Sequence, residues 1–465
     1  MRWSLLLLSI SVYACEIDEF NDPLPITQAC DTDTLGDANR VEGVSFDRDR
    51  MICVGIEMAP RDFSALARQS RLGGTTDTEI FKHMVGWYLS GCSEASRNLF
   101  TYFEADLEVG GIQISRAGIR KKGFLGSVIG NGRKKPSLKI KMDKYVDDQL
   151  LGDTERLTLN NNNQDPTRLN TCLAYELFAQ AGYPAPRCNL ANVMLGETSL
   201  GVYSHVEPIK KRFLRRVFGD DSGSLYEGTM ADFTDAHLVG ARVGELGHWE
   251  AKTGDSDTQG GPLLAVTEAL QAPDSEVLSA LESVVNLDRF ITFWALETLI
   301  EHTDGYTAGA NNFYVYFDES DGGRATFIPW GADAVMSEEA AKDQERAPGS
   351  FGAFVRGELA RRLSRLPEVS MRYQVELRRL LDEVWDEEAL LKRVDTYAQL
   401  VRSAETSETY EANLDVLRAW ISARRSQVEE GLTREIARGH EEHQICEEGA
   451  PGFMIDLVSR FGFAW

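Results

Sequence analysis

Positive charge is in short supply in this 465-residue chain: 49 Lys+Arg face 73 Asp+Glu, a net charge of −24. Such a field repels phosphate backbones and anionic lipid surfaces, so nucleic acid is excluded as the expected partner. A nucleotide is compatible only where a local cluster of cations and a divalent metal reverses the sign. Cysteine is sparse, with seven in the chain and no Cys-x-x-Cys pair, and the spacings fit no zinc site. Histidine is equally sparse at seven. His205 and His302 have no third partner at a suggestive spacing, so both are expected to be structural. There is no Gly-x-Ser-x-Gly elbow, which removes a serine hydrolase. The one marked apolar run, residues 5–10, is too short to cross a bilayer as a permanent helix. Neither internal repeats nor low-complexity tracts stand out.

What remains is an ordinary globular composition, 43% hydrophobic, 9% aromatic and 26% charged, long enough for about three units. Met1-Arg2-Trp3, the leucine run and Val12-Tyr13-Ala14-Cys15 have the charge, length and small-residue cut site of an export signal over residues 1–14. Cys15 after Ala14 fits a lipobox, which predicts a lipid-anchored lipoprotein of the cell envelope. Plain cleavage instead places the chain in the periplasm or outside the cell. Either route leads to an oxidising space, where the remaining six cysteines allow up to three disulfides. Cys172 and Cys188, closest in sequence, are the preferred bridge.

Residues 15–48 read as an acidic, turn-rich linker. Asp31, Asp33, Gly36 and Glu42 fall at positions 1, 3, 6 and 12 of a calcium loop, but Leu35 spoils position 5 and a solvated charge run fits better. Residues 49–206 form a β-rich N-terminal lobe, with short strands at 51–57 and 103–109. A helix over 169–181 starts after Asp165-Pro166-Thr167, and a hairpin of 192–195 and 201–205 turns at Gly196-Glu197. Residues 207–440 form a metal-binding, mostly helical C-terminal lobe, helical over 285–301 and 370–432, with a strand pair at 312–318 and 325–329. Residues 441–465 are a tail. The expected class is α+β.

Two constellations carry chemistry. In the first, Arg120-Lys121-Lys122 precedes Ser137-Leu138-Lys139-Ile140-Lys141-Met142. An extended strand there buries Leu138, Ile140 and Met142 and presents Lys139 and Lys141 together on the opposite face, suited either to phosphate oxygens or to solvent at a sheet edge. In the second, Asp304-Gly305-Tyr306, Asn311-Asn312 and Asp333 stand around the strand pair. Hairpin geometry brings them to one end, as hard-oxygen ligands for Mg²⁺ or Mn²⁺, unless they are only turn residues. A lysine on phosphates, metal-holding Asp and Asn, and an Asp beside the acceptor hydroxyl are the parts of phosphoryl transfer, in the order protein kinases present them.

At these residues the chain resembles the spore coat protein CotH family of atypical secreted protein kinases. The resemblance runs from about residue 103 to 336, more weakly to 432. It rests on Gly118-Ile119-Arg120-x-Lys122-Gly123, Lys135-Pro136-Ser137-Leu138-Lys139-Ile140-Lys141, Leu159-Asn160-Asn161 before Asp165-Pro166-Thr167, Gly201-Val202-Tyr203 with Glu207, Gly223-x-Leu225-Tyr226, Asp304-Gly305-Tyr306 before Asn311-Asn312, and Ile328-Pro329-Trp330. It implies a kinase-like fold, ATP with Mg²⁺ or Mn²⁺, and transfer of the γ-phosphate to serine of a protein substrate. By that resemblance Lys139 or Lys141 contacts the phosphates, with Arg120 and Lys122 supporting. Asp304 orients the hydroxyl, Asn311 or Asn312 and Asp333 hold metal, Glu207 contacts nucleotide, and Glu176 pairs with the strand lysine. The family usually reads Pro-Trp-Asp-x-Asp where this chain reads Pro329-Trp330-Gly331-Ala332-Asp333. One acidic position is therefore lost, and a catalytically inactive adhesion or scaffold protein is the alternative.

Overall fold

The computed structural model describes residues 46–71, 73–74, 76, 78–80, 82–83, 100–124, 132, 134–238, 248–253, 260–337, 355–405 and 408–433. The export signal, Cys15, the calcium-like loop and the 441–465 tail lie outside the described residues. Among those described, no helix is long and apolar enough to cross a membrane.

Seven strands close into a barrel: β1 (Ile52–Glu57), β2 (Phe103–Val109), β3 (Ile112–Lys121), β4 (Leu138–Lys141), β5 (Arg156–Asn160), β6 (Cys188–Leu195) and β7 (Thr198–Val206). Their order is β1-β2-β3-β4-β5-β7-β6, and the parallel pairing of β1 with β6 seals it. Period-two alternation explains the lining. Leu138 and Ile140 of β4 and Leu157 and Leu159 of β5 point inward and are fully buried, each contributing roughly 1.5–3 kcal/mol, while Lys139 and Lys141 face out. The same alternation splits the Arg120-Lys121-Lys122 run. Lys121 turns inward and donates to the Ala67 carbonyl at 2.5 Å, at the end of helix α1 (Pro60–Arg68), whose Phe63 and Leu66 join the barrel core.

Between β5 and β6 the chain inserts helix α2 (Asn170–Gln180). Its Cys172 is disulfide-bonded to Cys188 at the start of β6, the expected bridge, and Cys53 is disulfide-bonded as well. The expected hairpin is β6–β7, and it turns through Gly196, whose φ of +55° suits glycine.

The second lobe is built on a four-stranded sheet in the order β11-β10-β8-β9, where β8 is Ser224–Gly228, β9 Trp249–Ala251, β10 Phe313–Asp318 and β11 Arg324–Pro329. The hairpin β10–β11 matches the expected strand pair; β8 and β9, which widen it, carry little sequence signal. Every residue of β10 is buried, because helix α3 (Leu287–Leu299) covers the sheet through Phe290 and Phe293 against Phe327. Beyond a short turn, α4 (Tyr306–Gly309), come the long helices α5 (Pro367–Glu383), α6 (Glu387–Ala404) and α7 (Tyr410–Leu432). Trp294 of α3 stacks on Tyr373 of α5 with centroids 4.2 Å apart. Within α7, Trp420 and Ile421 are buried in the core. Arg424 is fully buried, donating to Glu301 at 2.7 Å and to the Leu299 carbonyl at 2.8 Å. Strand-rich and helix-rich halves make the class α+β.

Candidate functional site

The hairpin fixes the first half of the site. Phe313 pairs with Pro329, so the residues entering β10 and those leaving β11 emerge side by side. The entering residues are Asn311 and Asn312; the leaving ones run from Trp330 to Asp333. Asn311 Nδ2 donates to Asp304 Oδ1 at 3.1 Å. Asn312 Nδ2 donates to Asp304 Oδ2 at 2.6 Å and to its main-chain oxygen at 3.1 Å. Both carboxylate oxygens are thus fixed by carboxamides, and more than a turn motif is present. Ala310, Asn312 and Gly331 all have left-handed backbone, with φ of 47°, 51° and 56°. Such strain persists where surrounding contacts over-determine the chain.

The loop bearing Asp304 is held from beneath by Glu297, which is fully buried in α3. Its carboxylate accepts from the main-chain N–H of Tyr306 at 3.0 Å, the N–H of Thr307 at 2.8 Å and the Thr307 hydroxyl at 2.6 Å. A side chain at Gly305 would run into that carboxylate. His302, also fully buried, lies 3.5 Å from Glu297. Burial works against its protonated form, but Glu297 and Asp304 outweigh burial and raise its pKa.

Asp333 is half-buried. Its carboxyl is pushed up to about 6, by burial first and by the Asp304 charge next, against the pull of Lys122. The inserted helix α2 reaches this loop: Asn170 Nδ2 donates to the main-chain oxygens of Asp333 at 3.4 Å and Val335 at 2.7 Å.

From the barrel comes Lys122. Its ammonium donates to Asn160 Oδ1 of β5 and lies 5.5 Å from the centroid of the Trp330 ring. Burial lowers its pKa to about 8, while Asp333 and Glu227 favour its charged form. The cation of the first lobe and the carboxylates of the second therefore meet across one junction. Lys139 extends the cationic side: on the outer face of β4, opposite Arg120 across β3, it feels Glu227, Lys252, Arg120 and Lys122. Burial opposes ionisation of Glu227, but Lys252 and Lys139 hold its carboxyl well below the usual range.

Other expected residues sit differently. Lys141 is ion-paired with Asp143 at 3.3 Å, so it is Lys139 that neighbours Lys122. The Arg120 guanidinium stands 5.5 Å from the Tyr102 ring. Glu207 is committed to Arg187 at 3.0 Å and Arg216 at 2.5 Å, a structural ion network rather than a group offered to a ligand. Glu176 does not pair with the strand lysine; it is bound by Arg48 at 3.0 Å and Arg393 at 3.5 Å. His205 is structural, bonded to Asn189 at 2.9 Å and stacked on Phe46. Sequence reading gave no role to Asn160, Asn170, Glu227 or Glu297. Of these only Glu297 left a signal, a lone charge within the apolar run of α3.

Among the described residues no group of three or more His, Cys, Asp or Glu is placed to hold a metal ion. The oxygen donors here are two carboxylates, Asp304 and Asp333, with the carboxamide of Asn312 beside them. That set suits a hard divalent cation that keeps several waters and binds phosphate oxygens, because Mg²⁺ takes only one or two protein carboxylates at such sites.

A two-lobed arrangement with a lysine from the β-rich lobe facing Asp and Asn from a hairpin of the other is kinase-like in class. The chain matches the CotH kinase protein family over residues 123–428 and belongs to it. Two curated relatives are similar to it, both from Rhizopus delemar. Invasin CotH2 is 20% identical over 196 residues, covering 40% of this chain and 33% of the relative. Invasin CotH3 is 21% identical over 196 residues, covering 40% and 32%. The chain thus spans about a third of the length of the curated relatives it matches.

Proposed function

We propose that this protein is an atypical protein kinase of the cell envelope, transferring the γ-phosphate of ATP to serine, or threonine, of an exported protein. The observation that carries this reading is that Lys122, 5.5 Å from the Trp330 ring, faces Asp333 across the lobe junction, with Asp304 beside Asp333. Lys122, with Lys139 and Arg120 near it, binds the nucleotide phosphates. Asp333 and the carboxamide oxygens of Asn312 or Asn311 hold Mg²⁺ or Mn²⁺, which when bound offsets charge on the phosphate oxygens. Asp304, fixed by its two carboxamide partners, keeps lone pairs for the acceptor hydroxyl and takes its proton. A bond forms between that oxygen and the γ-phosphorus, the bond to the β,γ-bridging oxygen breaks, and ADP leaves. Export through the signal at 1–14, with or without a lipid anchor at Cys15, brings the site to surface substrates, in keeping with relatives named as invasins.

A second reading, an inactive surface scaffold, is favoured by Gly331, which has no carboxylate where the family resemblance has one. The two separate in one experiment. Purified protein given radiolabelled ATP, Mn²⁺ and serine peptides should transfer phosphate, and Asp304→Ala should lower the rate about 10²- to 10⁴-fold. Equal labelling by wild type and variant removes the assignment. Absence of any nucleotide-dependent stabilisation supports the scaffold.

A further inference from the structure

The cations near Lys139 outnumber what a triphosphate needs, and they continue away from the metal-holding side. On the barrel, Lys141 stands opposite Arg156 and Lys139 opposite Thr158, so Arg156 shares the outward face with both lysines. Across from that face stand Lys210, just before the helix Lys211–Phe218, and Lys252, just after β9. Lys252 bridges Glu227 and Glu250 and is satisfied. The others are not.

The Lys139 side chain makes no hydrogen bond or close ion pair among the described residues, and the carboxylate it faces is Glu227. The Nε of Arg156 is buried without a hydrogen-bond partner, and its nearest carboxylate, Glu155, is 3.9 Å away. Lys210 has one long bond, 3.4 Å, to the Lys252 carbonyl. Burial first, then Lys252 and Arg156, lower the Lys210 pKa to about 8, against the opposing pull of Glu227 and Glu250. Lys210 has Lys252 and Arg156 beside it, and Lys252 also neighbours Lys139, with the Glu227 carboxylate among them. In a chain of net charge −24, unmet donors crowding one junction mark a place for an anion.

We infer that Lys210 and Arg156 form a second anion subsite beside the phosphate site, which selects acceptor segments carrying carboxylates next to the target hydroxyl. The inference rests on the phosphotransferase reading for its meaning but not for its binding. An acidic segment lying from Asp304 toward Arg156 gives both of these donors a carboxylate oxygen and leaves Lys122 and Lys139 to the nucleotide. Charge-assisted bonds of this kind are the strong ones, and their salt dependence is diagnostic.

The test uses the full chain and a fluorescein-labelled peptide with four glutamates around one serine, beside a matched peptide with four lysines. Anisotropy should show saturable binding of the glutamate peptide, weakening steeply with salt, and none of the lysine peptide. The Arg156→Gln, Lys210→Gln double variant should bind it about tenfold less tightly while stabilisation by Mn²⁺ with ATP stays unchanged; melting curves check that it folds, and each single variant should show part of the loss. Equal binding of the two peptides, or loss of ATP stabilisation along with peptide binding, overturns the inference, the second because the cations then belong to the nucleotide. Peptide binding without phosphate transfer removes the kinase reading and leaves the subsite; transfer to serine peptides regardless of charge does the reverse.

Discussion

Gly331 faces the carboxamide of Asn312 so closely that a Cβ on the glycine would lie 2.6 Å from both Cγ and Oδ1 of the asparagine. With φ at +56°, position 331 is also strained for any other residue. The missing side chain thus makes room for the carboxamide that grips Asp304. Gly331→Ala is expected to cost about 1–2 kcal/mol in backbone strain and to push Asn312 off Asp304. Gly331→Asp should behave alike rather than gain function. Melting curves with and without Mn²⁺ and ATP read both effects; a fully stabilised Gly331→Asp protein contradicts this geometry.

Glu297 holds the Asp304 loop by accepting three hydrogen bonds in a fully buried position. Glu297→Gln turns an amide N–H toward those donors and should cost about 1.5–3 kcal/mol. Phosphate transfer should fall with it, while Glu429→Gln, on the surface of α7, should change neither. Urea titration and initial rates make the comparison.

Asp232 gives a pH dependence with a definite sign. Its buried carboxyl accepts from Glu358 N–H and Phe233 N–H at 2.8 Å each and from the Tyr306 hydroxyl at 3.0 Å, yet burial raises its pKa to about 7. Between pH 4 and 7 the native state keeps a proton that the unfolded chain has released. Its contribution is therefore complete at low pH and lost as pH rises through 7, a span of roughly 4 kcal/mol at 1.36 kcal/mol per unit. Asp232→Asn should flatten the slope of unfolding free energy between pH 5 and 8; an unchanged slope would place the titration elsewhere.

The Cys172–Cys188 bridge closes a loop of sequence separation 16, which on the chain-entropy view stabilises by about 3 kcal/mol. The Cys172→Ala, Cys188→Ala variant should lose that amount in denaturant and free the α2 end that carries Asn170. Nucleotide stabilisation should weaken with it, because Asn170 anchors the Asp333 loop.

Local pattern carried much of this molecule. The β4 alternation, the helix at α2, and the hairpins at β6–β7 and β10–β11 were readable because their signals span a few residues. Barrel closure was not, since β1 meets β6 across more than a hundred residues and pairing of that range leaves no local trace. The candidate site divides the same way. Asp304, Asn311, Asn312 and Asp333 flank one hairpin, so its geometry predicts their meeting. Choosing between Lys139 and Lys141 needs Glu227 and Lys252 from the other sheet, and the fate of Glu207 needs Arg187 and Arg216. Such partners are chosen by the fold.

Isothermal titration of Mn²⁺ with a non-hydrolysable ATP analogue tests the central claim, that Lys122 and the two aspartates serve one ligand. Wild type should bind, and Lys122→Ala and Asp333→Ala, each from a different lobe, should weaken binding by similar factors. In the double variant the losses should combine less than additively, as partners on one ligand do. Wild-type binding untouched by either change, or binding without any metal requirement, would contradict the account.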